Sequence, residues 1–193
     1  MRRYLTIALV LCTGLTRADA PAQEDRPDAP DAPSLVSPPA AAQMPANVVL
    51  VETRMQRRAL HRLNATSGIR LPRIQLYTAD GRQVLHAIGW EDDVGERVRA
   101  LVARGDAKAK SRTRLDDVVA ELEESSTAAP LARDALPAAD YYVVTGWAGW
   151  CRPCATAMVE LRKVFEADPA HRYAWITIET DVVKQKLQKQ TIR

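Results

Sequence analysis

The chain has 193 residues, a formal net charge of +3 and 47% hydrophobic residues, too apolar for a wholly disordered polypeptide. Much of that charge sits at the extreme N-terminus, where Arg2, Arg3 and Arg17 outweigh Asp19. Residues 23–193 therefore carry only about +1, which argues against a nucleic-acid binder with its strongly basic face.

In chain order, Arg2 and Arg3 precede an apolar run, Leu5–Leu15, and then the small residues of Ala18-Asp19-Ala20-Pro21-Ala22. This is the pattern of a secretory signal peptide over residues 1–22, cut after Ala22. The run is shorter than the ~20 apolar residues of a membrane-spanning helix. The expected location is outside the cytoplasm, periplasmic or extracellular. The signal takes Cys12 with it and leaves Cys151 and Cys154 as one C-x-x-C pair in an oxidising compartment. Residues 23–46 are rich in Pro, Ala and Asp and read as a linker or mobile tail.

From Asn47 the texture changes. Val48–Val51 reads as a short buried strand. Met55, Ala59, Leu60 and Leu63 recur at helical spacing, ending at Ser67-Gly68. Arg73–Thr78 alternates, with Ile74 and Leu76 on one face. Asp80-Gly81 signals a hairpin, and Gln83–Ile88 is the return strand. Val94, Val98, Leu101 and Val102 form another helical stripe, ending near Gly105. Residues 105–139 read as a connector, with a solvated basic run over 108–114. Leu115, Val118, Val119 and Leu122 predict a short amphipathic helix within it. The remainder, residues 140–193, reads β-α-β-α: a strand over 141–145, a helix over 153–167, a strand over 173–178 and a polar helix over 182–191. Val49-Leu50-Val51-Glu52-Thr53 resembles Ile176-Thr177-Ile178-Glu179-Thr180, and each copy leads through a basic helix to Ile-Arg. The match is short enough to arise by chance.

Trp147-Ala148-Gly149-Trp150-Cys151-Arg152-Pro153-Cys154 follows a predicted strand and opens a predicted helix. A thiol at a helix N-terminus meets unpaired backbone N–H groups and the positive end of the dipole, and Arg152 adds a charge beside it. Together these favour a Cys151 thiolate. Pro153 suits the first turn, where its missing N–H costs nothing. Cys154 shares a stripe with Met158, Leu161 and Phe165 and is expected to face the core. An exposed, acidic Cys151 with a buried Cys154 one turn away can attack a disulfide and then be released by internal attack. Two other readings stay open. A structural C-x-x-C bridge closes too small a loop to gain much chain entropy. A metal site would need ligands beyond His61, His86 and His171.

This stretch resembles the active site of the thioredoxin family, with Arg152-Pro153 in place of the commoner Gly-Pro. Ile69–Tyr77, Asp80-Gly81 and the helix to Val102 resemble that family's other half, in which a cis-proline loop leads into a hairpin and a last helix. The resemblance maps Pro72 onto the cis-proline and Leu71 onto the residue whose backbone pairs with a substrate chain. It implies a thioredoxin-like α/β fold, a mixed central sheet flanked by helices. It also implies thiol–disulfide exchange with protein substrates, Cys151 as nucleophile and Cys154 as resolving thiol. Trp150, Arg152, Pro153, Leu71 and Pro72 would border the substrate groove, with Trp147 as packing or contact residue. No bound cofactor and no metal are implied; the partners are protein thiols or disulfides and a redox partner protein. The sequence departs from the family in three ways. The half with Pro72 (residues 47–104) precedes the half with C-x-x-C (residues 140–193). Arg73 stands where a small or polar residue is usual. Thr145 occupies the strand position of a buried acid that assists the second cysteine. The reversed order means a circular permutation in cis or two incomplete tandem units, the latter pairing by self-association. The competing functional classes are a non-catalytic binding or adaptor module and a C-x-x-C metal-transfer protein.

Overall fold

The computed structural model describes residues 43–66, 69–105 and 111–181. The expected signal peptide, most of the expected linker, part of the basic run and the expected helix over 182–191 lie outside the described residues. In chain order the elements are β1 (Val48–Met55), α1 (Arg57–Thr66), β2 (Arg73–Thr78), β3 (Gln83–Ile88), α2 (Val94–Arg104), α3 (Leu115–Val119), β4 (Leu122–Glu124), β5 (Tyr141–Trp147), α4 (Arg152–Glu166) and β6 (Tyr173–Glu179). The class is mixed α/β, as expected: one six-stranded sheet and four α-helices among the described residues. No helix among them is long and apolar enough to cross a membrane.

The strand order is β3-β2-β5-β6-β1-β4. β1, β6 and β5 run parallel, whereas β2 lies antiparallel to both β5 and β3, and β4 is antiparallel to β1. The two predicted halves thus meet in mid-sheet, where Arg73 pairs with Gly146 and Ile74 with Thr145. The hairpin turns at Gly81, whose φ of +80° favours glycine.

Both faces of the sheet are covered. Along β5, Tyr141, Val143 and Trp147 join one core with α2 and α4, through Val98, Leu101, Met158 and Phe165. Tyr142 and Val144 join the other core, with Leu115, Val119 and Leu122. A parallel centre buried on both sides reads as a continuous apolar run, not an alternating one. The cover on both faces extends to the antiparallel β2 and corrects its one-faced expectation: Gln75 and Tyr77 are buried along with Ile74 and Leu76.

Three further boundaries differ from expectation. β1 runs on to Met55, which therefore belongs to the strand and not to the α1 stripe, and Val49 is 51% exposed instead of buried. The 115–122 helix stops at Val119, and Leu122 begins β4. Leu131, Leu136 and Ala139 of the stretch read as a connector are buried in the second core.

Candidate functional site

The site sits where β5 hands over to α4. β5 ends at Trp147, the chain turns with Cys151 N–H donating to the Ala148 carbonyl at 3.0 Å, and Cys151 becomes the N-cap of α4. Pro153 lies in the first turn of the helix, as expected. Cys151 and Cys154 form a disulfide, with Cα atoms 5.3 Å apart. The stripe reading of α4 holds: Cys154, Met158, Leu161 and Phe165 are all buried.

Cys151 departs from the expectation of an exposed thiol. In the disulfide-bonded state it is 3% exposed, within the same core as Cys154, Trp147 and Met158. The exposed groups are its neighbours: Trp150 is 56% exposed, and Arg152 and Pro153 are open to solvent. A helix N-terminus does not by itself fix which way its first thiol faces. The turn from Trp147 tucks Cys151 inward and turns Trp150 out.

Leu71-Pro72 lies at the same end of the sheet, because β2 runs antiparallel to β5 and starts where β5 ends. The Leu71–Pro72 peptide bond is cis, and the Pro72 carbonyl accepts the Gly89 N–H at 2.7 Å. Leu71 is partly buried and packs against the core that holds the disulfide. A β-carbon on Gly146 would meet Leu71 Cδ2 and Arg73 Cβ at 3.5 Å, an ordinary contact distance, so the two segments lie side by side here.

Two residues before the end of β5, Thr145 is fully buried, and its Oγ1 accepts the Trp175 indole N–H at 2.9 Å. The end of β6 is tied to the end of β5 by Thr180, whose N–H and Oγ1 both donate to the Trp147 carbonyl at 2.9 Å. Sequence reasoning missed Trp175 and Thr180; only the β5–β6 register, which pairs Trp147 with Glu179, reveals them. No group of three or more metal-ligating side chains occurs among the described residues. A disulfide at a helix N-terminus beside an exposed indole can be opened and closed by thiol–disulfide exchange.

No protein-family model matches the chain, and neither a curated protein nor a solved structure matches it.

Proposed function

We propose that this protein is an exported thiol–disulfide oxidoreductase of thioredoxin-like fold, its two halves in permuted order, acting on protein substrates. The observation that carries the reading is the Cys151–Cys154 disulfide at the β5–α4 turn, with the resolving sulfur on the buried face of α4. The neighbouring Leu71-Pro72 segment and the exposed Trp150 support a substrate groove bounded by these residues with Arg152 and Pro153.

In the reduced protein the Cys151 thiolate attacks one sulfur of a substrate disulfide. A mixed disulfide forms and one substrate thiolate leaves, taking a proton from water. Cys154, deprotonated, then attacks Cys151 Sγ, the second substrate thiolate leaves, and the internal disulfide is restored. The substrate gains two electrons and the protein loses two; a dithiol protein must return them. Run backwards, the same steps oxidise a substrate dithiol.

The test is alkylation of the reduced protein with iodoacetamide across pH, together with reduction of a disulfide-bonded protein substrate. Cys151 is expected to alkylate with a midpoint below the ~8.5 of free cysteine, ahead of Cys154. Cys151→Ser is expected to abolish turnover, and Cys154→Ser to accumulate the mixed disulfide. Turnover unchanged in Cys151→Ser would sink the enzyme reading. A second reading, a binding module without turnover, draws on Thr145: its hydroxyl is engaged by Trp175, and no carboxylate stands in its place to take a proton from Cys154. Substrate capture without turnover in the unsubstituted protein would favour that reading.

A further inference from the structure

A cavity of about 350 Å³ opens on the α3 side of the sheet. Val144, Gly146 and Ile178 line it from the sheet, and Leu63, Leu71 and Val118 line it from α1, the β2 approach and α3. This is the size of a small-ligand site, and its lining mixes apolar side chains with polar and charged ones, among them Arg70, Arg73, His86, Asp117 and Glu121. Gly146 adds no side chain to this wall, and a β-carbon there would sit in ordinary contact with Leu71 and Arg73, 3.5 Å away.

Arg73, opposite Gly146 in the ladder, also lines the cavity. Its Nε is shut off from water and has no hydrogen-bond partner. None of the ion pairs among the described residues includes it. A buried, unpaired N–H is costly and rare; Arg73 as a whole is only partly buried, and its planar guanidinium fork matches a carboxylate. The two carboxylates on the cavity wall are already engaged: Glu121 pairs with Arg62 at 2.8 Å, and Asp117 accepts the Arg114 backbone N–H at 2.8 Å. Arg70 stands exposed on the lining. His86 lines it from β3; partial burial and then the Arg73 charge hold its pKa below the ordinary value, which leaves Arg73 and the exposed Arg70 as the cations of the lining.

We propose that this cavity binds a small monocarboxylate with a compact apolar body, its carboxylate on Arg73 and its apolar part against Val144, Ile178 and Leu63. A dianion such as phosphate fits less well, because its second charge would face Asp117 and Glu121, while the lining's other arginine, Arg70, stands exposed to solvent. Cargo or effector, the ligand is recognised by the same chemistry, independent of the thiols.

The test is calorimetric titration of the full chain, in its disulfide form at pH 7 and low salt, with sodium octanoate as the probe. Saturable one-to-one binding is expected, with octanol and inorganic phosphate each at least tenfold weaker. Arg73→Gln is expected to weaken octanoate at least tenfold, with Arg73→Lys in between. Gly146→Leu, which fills the cavity and keeps Arg73, is expected to abolish binding. Thermal unfolding of each variant establishes that it folds. The proposal is overturned if octanoate does not saturate, if octanol binds as well, or if a folded Arg73→Gln or Gly146→Leu binds octanoate like the parent. None of these readouts involves Cys151 or Cys154, so their failure and the failure of the oxidoreductase reading are separate.

Discussion

Thr145 shows how much one buried hydroxyl decides. The Trp175 indole is fully buried, and its N–H has Thr145 Oγ1 as its acceptor at 2.9 Å. Thr145→Val keeps the shape and removes the acceptor, leaving a buried donor unsatisfied. That is expected to cost about 1–3 kcal/mol, read as a lowered urea midpoint with an unchanged m-value. Thr145→Ser retains the oxygen and is expected to recover most of the loss; equal losses in the two variants would mean that packing and not the hydrogen bond matters. At this scale the sequence was legible for Cys154, because helical spacing alone puts it with Met158, Leu161 and Phe165. It was not legible for Cys151, whose burial depends on the path of four residues between β5 and α4. Arg73 stood out only as an odd residue; that its Nε lacks a partner depends on β2 lying beside β5.

At the scale of elements, α4 was readable from Pro153 and the apolar stripe, but not what finishes it. The last carbonyls of a helix lack internal partners. Asn47, just before β1, supplies donors from far away: the two N–H groups of its Nδ2 are shared among the carbonyls of Phe165, in the last turn of α4, and of Asp168 and His171 just beyond it, at 3.1, 2.8 and 3.0 Å. Such a contact spans more than a hundred residues, and no local pattern announces it. Asn47→Ala is expected to cost about 1–3 kcal/mol, measured by chemical denaturation; a change within a few tenths would mean that water replaces the amide. The turn after α4 also carries a pH signature. Burial works to raise the Asp168 carboxyl, but hydrogen bonds from the Tyr173 hydroxyl at 2.5 Å and the His171 ring outweigh it and hold the pKa below its ordinary value. A carboxyl depressed in the folded state adds stability that is present above its unfolded pKa of about 4 and fades as pH falls through the folded value. Between pH 5 and pH 3 the parent is therefore expected to lose more thermal stability than Asp168→Asn. Identical pH profiles would remove Asp168 from the account.

For the whole molecule, the order of elements along the chain and their order in the sheet are different questions, and local patterns answered only the first. Five of the six strands were legible as strands because β-branched and aromatic runs stand between turn signals. β4 was not, since Leu122-Glu123-Glu124 continues a helical stripe and becomes a strand only by pairing with Thr53–Met55 of β1. Nor did the sequence settle how residues 47–104 and 140–193 meet. The sheet order places β2 between β3 and β5, so the first segment's hairpin depends on the second segment for its other hydrogen-bonded neighbour. The second segment depends equally on the first, because β6 lies between β5 and β1. A two-stranded hairpin is marginal alone in water, so neither set of strands is expected to persist without the other. This interlocking predicts one cooperative unit, in which the amides of β2, β5 and β6 exchange with solvent only through the same global opening. Native-state hydrogen exchange in rising urea checks it. The apparent opening free energies of residues 74–77, 142–146 and 174–178 are expected to converge on one isotherm. Exchange of 74–77 along a separate, lower-energy isotherm would show that the hairpin opens on its own, and the mid-sheet seam between Ile74 and Thr145 would then be a docking contact instead of part of one core.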